Sequence, residues 1–182
     1  MKRSSVILAL ILVIDFYSCQ QTKKTNESYM PAQQGETLFP KGNKITSDNF
    51  TGTVWLQRMI DNDSTLYARM GNVTFEPKAR TNWHSHPGGQ ILIITNGVGY
   101  YQEKGKPAQL LRKGDFVEIP PNTVHWHGAA PDSEFVHIAI SLNTDEGDVV
   151  WLHPVTDEEY SQSKNSTIEK TSSIFFVNSK EQ

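Results

Sequence analysis

The chain has 182 residues, with 17 lysines and arginines against 20 aspartates and glutamates, for a formal net charge of −3. It can bury one core with 37% hydrophobic and 10% aromatic residues, and its mild acidity excludes nucleic acid as a partner, which demands a basic face. One cysteine excludes an internal disulfide and any CxxC zinc or redox site, while five of the six histidines fall between His84 and His137.

Taken in chain order, residues 1–18 read as a signal peptide. Lys2 and Arg3 form a positive start, and the apolar run from Val6 to Ile14 suits a secretory segment and is too short to span a bilayer as a helix. Phe16-Tyr17-Ser18-Cys19 resembles a bacterial lipobox, which makes Cys19 the candidate lipidation site and the mature N-terminus. An ordinary secretory signal is the alternative. Both readings export the protein to the bacterial periplasm or cell envelope, and a lipid at Cys19 would be its membrane contact. Residues 19–36, rich in Gln, Thr, Lys and Asn, read as a flexible tether. The folded domain is expected over 37–160 and a polar tail over 161–182, in which Ile174–Val177 is the one apolar run.

Between Phe50 and Leu142 no stretch keeps a helical period. Short β-branched and aromatic runs alternate instead with Gly, Pro, Asn and Asp. Strands are expected at Thr53–Ile60, Leu66–Phe75, Gln90–Ile94, Gly99–Glu103, Phe116–Ile119, His125–Gly128 and Phe135–Leu142. Asn96-Gly97 signals a hairpin between two of them, and 104–107 and 112–115 read as further turns. Thr156 followed by Asp157-Glu158-Glu159-Tyr160 signals a capped short helix. The fold class is therefore all-β, a sandwich or small barrel with a short C-terminal helix.

The histidines carry the chemistry. His84 and His86 stand two residues apart, as do His125 and His127, so each pair shares one face of a strand. Two such pairs flanked by Gly/Pro turns define a metal corner, because imidazole is the commonest protein ligand for transition metals. His137 shares a strand face with Phe135, Ala139 and Ser141. It is either a general base or substrate contact inside the barrel, or a core histidine bonded to backbone. Trp83 and Trp126 point away from the ligand face and are expected in the core, His153 on the surface, and Gly71 at a bulge or a close strand approach.

These residues resemble the cupin family. Its first motif is matched by His84-x-His86-x3-Gln90-x6-Gly97 and its second by Gly114-x5-Pro120-x-Asn122-x2-His125, with 16 residues between. Lys78 stands where the first motif opens with glycine, Asn122 replaces a turn glycine, and Gln90 replaces the usual ligand glutamate. The segments Arg80–Gln90, Pro120–Ala129, Phe135–Ser141 and Val155–Tyr160 are similar to small single-domain bacterial cupins that include manganese-dependent hydroxynitrile lyases.

The resemblance implies a jelly-roll-like barrel of six to eight strands. It also implies one divalent metal on His84, His86, Gln90 and His125, with Mn(II) favoured and Fe, Ni or Zn as alternatives. All four ligands would be neutral, which leaves the full charge of the cation to act as Lewis acid. Lyase chemistry on a small polar organic substrate follows, with His127 and His137 as acid/base groups and Val73, Thr81 and Ser141 lining the substrate pocket. A homodimer or higher homo-oligomer is the expected assembly. An Fe or Mn dioxygenase and a non-catalytic, surface-anchored binding or sensor protein are the competing functions.

Overall fold

A computed structural model describes residues 37–163. The expected signal peptide, Cys19, the tether and the apolar run at 174–177 lie outside the described residues.

The short strands β1 (Asn43–Lys44) and β2 (Phe50–Thr51) lead into the long pair β3 (Val54–Asp63) and β4 (Ala68–Phe75). Two-residue strands β5 (Arg80–Thr81) and β6 (His84–Ser85) precede β7 (Gln90–Glu103), the longest of all. There follow β8 (Gln109–Arg112), β9 (Phe116–Ile119), β10 (His125–Ala129), β11 (Phe135–Ser141) and β12 (Val150–Trp151). Residues 157–163 are helical. Seven of these strands have four residues or more, within the expected six to eight; the two-residue ones exist only by virtue of their partners.

The strands form two antiparallel sheets. One runs β1-β3-β4-β11-β7-β9, and the other joins β2, β5, β10, β7 and β8, with β6 beside β10 and β12 beside β6. Strand β7 belongs to both. Its residues 90–97 pair with β11, and residues 99–103 pair with β10.

The hairpin expected at Asn96-Gly97 is therefore corrected: the chain does not reverse there. Gly97 takes a left-handed φ of 72°, but Asn96 does not, whereas a two-residue type I′ turn needs both. One left-handed residue bends the strand and carries it from the first sheet into the second. A bulge opposite Val136 and His137 flips the inward parity, so Gln90, Leu92 and Ile94 face inward before the bend and Tyr101 after it. A Cβ on Gly97 would meet the Glu134 carbonyl at 1.7 Å, so no other residue fits.

The other turns lie where the sequence puts them, with the Asp115 amide donating to Arg112 O at 3.0 Å and that of Lys106 to Glu103 O at 3.0 Å. The two departures at glycine positions are conformational substitutes for glycine: Lys78 has φ 71° and Asn122 φ 60°. Gly71 marks a close strand approach, since a Cβ there would lie 2.6 Å from the Leu56 side chain.

Inside the barrel, Val54, Phe75, Leu92, Ile94, Tyr101, Ile119 and Phe135 form the main core. A second cluster of Trp83, Tyr100, Trp126, Val155 and Tyr160 sits on the outer face of the second sheet. Both tryptophans are thus core residues, as expected. The helix seals that cluster and extends three residues past the expected domain end. Thr156 and Glu159 form a reciprocal cap: the Thr156 amide donates to Glu159 Oε2 at 2.9 Å, and the Glu159 amide to Thr156 Oγ1 at 3.1 Å. Buried Arg80 ties the helix to the barrel by donating to Val155 O and to Asp157, beneath the Tyr160 ring.

Candidate metal centre

Strand pairing assembles the site. His84 on β6 lies directly opposite His125 on β10, and their rings are 4.2 Å apart between centroids. Two residues along each strand bring His86 to 5.2 Å from His84 and His127 to 5.4 Å from it. Gln90, first residue of β7, returns from the turn with Oε1 at 3.3 Å from His125 Nε2. The far end of the same strand, Glu103, is the cross-strand partner of His125, so both ends of β7 meet at one histidine.

The tautomers follow from the partners. His84 Nδ1 lies 3.0 Å from Asn82 O and His125 Nδ1 lies 2.8 Å from Thr123 O. A carbonyl oxygen can only accept, so both Nδ1 atoms carry the proton and both Nε2 atoms present lone pairs. The His125 lone pair then faces the Gln90 oxygen, two acceptors 3.3 Å apart, an arrangement that a cation satisfies. His86 Nε2 and His127 Nδ1 are buried without a hydrogen-bond partner. These donors fit a divalent metal. Nitrogen atoms of His84, His125 and His127 lie within 4.8 Å of one another, so the closest trio includes His127, with His86 and Gln90 at its border.

Electrostatics keep the rings neutral. Burial is the leading cause for all five histidines: it pushes His86 and His125 down to about 4, His137 to about 3, and His84 and His127 well below the ordinary value. Neutral imidazole is the form that ligates.

The remaining expected residues separate. His137 is fully buried on the barrel interior, 4.8 Å from the His127 ring, and packs between Phe75 and Phe135. Thr81 is buried and its hydroxyl accepts from the His127 amide at 3.2 Å, so it supports the ligand strand. Val73 and Ser141 line a cavity of about 130 Å³ at the barrel mouth, and Ser141 Oγ lies 3.3 Å from His86 Nδ1. His153 is exposed and apart from the site. Sequence reading misses Trp151, whose ring lies 4.9 Å from that of His84, and Arg69, which lines the mouth. Trp151 belongs to a two-residue strand with no pattern of its own, and a single arginine in a strand carries no signal without its neighbours.

Comparison with known proteins matches this architecture. A family model for the cupin domain covers residues 71–141. An (R)-mandelonitrile lyase of Granulicella tundricola is 43% identical over 117 residues, which are 64% of this chain and 89% of that protein. The crystal structure of a cupin-like protein from Thermotoga maritima matches with a TM-score of 0.69 and 55% identity, over 70% of this chain and 97% of that one. An acireductone dioxygenase of Alcanivorax borkumensis is 29% identical over 85 residues, 45% of each chain. The chain belongs to the cupin family. Within it, the chain carries a three-histidine cluster suited to a divalent metal, and two of its relatives are named as a lyase and a dioxygenase.

Proposed function

We propose that the protein is a metal-dependent lyase acting on a small polar organic substrate, with reversible cyanohydrin cleavage as its specific reaction. The observation that carries this reading is one barrel interior holding a neutral donor set beside two further buried imidazoles, His127 and His137. The relationship to a mandelonitrile lyase supports the reaction type.

His84, His86, Gln90 and His125 are the proposed ligands, and amide oxygen with imidazole favours Mn(II). A divalent cation there supplies Lewis acidity toward a substrate oxygen. The four donors leave its charge undiminished. His127, neutral and next to His84, takes the proton of the substrate hydroxyl as the bond from carbon to the nitrile breaks. The hydroxyl carbon becomes a carbonyl, the electron pair leaves with cyanide, and the proton returns to give hydrogen cyanide. His137 packs edge-to-face against His127 and positions that imidazole.

The test is mandelonitrile cleavage by the purified full chain, before and after chelation and after Mn(II) is returned. Cleavage lost and restored in step with metal supports the reading; a metal-loaded protein that does not cleave refutes it. A second reading, a dioxygenase, draws on the acireductone dioxygenase relative, and oxygen uptake during turnover would select it. The N-terminal sequence adds the proposal that the protein is exported and lipid-anchored at Cys19. A Cys19→Ala chain that stays in the membrane fraction would count against the anchor.

A further inference from the structure

The cavities of the barrel mouth are lined by cationic side chains, with the exposed carboxylate of Asp148 at their rim. A cavity of about 130 Å³ lies between Arg69, His86 and Ser141, and another of about 130 Å³ between Arg58, Arg69 and Ser141. A groove of about 630 Å³ continues past Lys44, Arg58, Arg69 and Trp151. Arg69 lines all three, and no aspartate or glutamate lines any of them.

Arg69 is also the cation tied to the metal centre. It pairs across β4 and β11 with Ser141, whose Oγ lies 3.3 Å from His86 Nδ1. Arg58, by contrast, is mostly exposed and held by Asp61 of its own strand at 3.1 Å. The cavity between Arg69 and His86 has the volume of roughly four waters at about 30 Å³ each, room for a three- or four-carbon molecule.

The guanidinium already holds a carboxylate. Arg69 Nη2 lies 2.8 Å from Asp148 Oδ1, and Asp148 sits between Gly147 and Val149 of the cavity wall. The Asp148 side chain is 78% exposed, so the pair is weak and open to displacement. An arginine keeps its charge at any working pH and presents a fork matched to a carboxylate.

We propose that the physiological substrate is a small carboxylic acid whose carboxylate is received by Arg69, while a hydroxyl or carbonyl a few bonds away reaches the histidine cluster. Asp148 holds the guanidinium until substrate replaces it. What happens at the cluster rests on the lyase reading; the charge of the substrate rests on Arg69.

Lactate and lactamide are matched in shape and differ in charge. Each is titrated calorimetrically into the full chain at fixed ionic strength, for the wild type, Arg69→Gln and Arg69→Lys, both metal-loaded and chelator-stripped. Lactate is expected to bind about tenfold tighter than lactamide, with the preference falling to about twofold or less in Arg69→Gln and partly returning in Arg69→Lys. Lactate can chelate a cation by itself, so the stripped arm decides. The preference must persist there; its absence, equal binding of the two ligands, or a preference that survives Arg69→Gln overturns the assignment. Failure of the lyase reading leaves a different trace: no cyanohydrin cleavage, with the carboxylate preference and its dependence on Arg69 intact.

Discussion

At Gln90 a single exchange of amide for carboxylate separates a neutral donor set from an anionic one. Gln90→Glu is expected to keep or raise metal content while cyanohydrin cleavage falls about tenfold, because the added charge offsets the Lewis acid. Elemental analysis and a cleavage assay on the same sample check both halves. The third imidazole ligand is settled by a second pair of variants. His86→Ala is expected to lower metal affinity about tenfold or more, and His127→Ala to keep metal and lose turnover; the reverse would move the ligand role to His127. Protonation gives a further handle. His86 and His125 are pushed down to about 4 and His137 to about 3, against 6.5 in an unfolded chain. Between pH 6.5 and about 4 the unfolded chain binds protons that the folded chain refuses, so stability falls as acid is added, and for His137 to about pH 3. The urea midpoint of chelator-treated protein should drop from pH 7 to pH 4 and stay nearly level from pH 7 to pH 8. The histidine pairs were legible in the sequence because strand alternation puts residues two apart on one face. The contact of His127 with His84 was not, since it depends on which strands become neighbours.

Among the elements, β7 shows where local pattern misleads. Asn96-Gly97 reads as a hairpin because both residues tolerate a left-handed backbone, yet only Gly97 adopts it, and Glu134 fills the space beside it. Gly97→Ala combines an unfavourable φ with steric overlap and is expected to cost about 3 kcal/mol, read as a lower urea midpoint with an unchanged slope. Strands β5, β6 and β12 were not legible, since two residues have no period. Their pairings with β10, β2 and each other hold them, and β6 nevertheless carries a proposed ligand. The helix cap was legible because Thr156 and Glu159 satisfy each other's amides within four residues.

For the whole molecule, the barrel and the histidine cluster are one object. The sheets share β7, the main core lies behind the histidines, and the helix closes the outer cluster behind β10. Metal added to the stripped protein is therefore expected to slow amide hydrogen exchange along both halves of β7 and in β10, not only beside the ligands. Protection confined to 84–90 would separate the site from the barrel. In mechanical terms β7 is a hoop and His125 its clasp. The strand's 14 residues trace about 46 Å at about 3.3 Å each, leaving from the His125 imidazole at Gln90 and returning to the His125 backbone at Glu103. His125 thus ties down both ends of the hoop, and Gly97, halfway round, supplies the left-handed bend that lets it close.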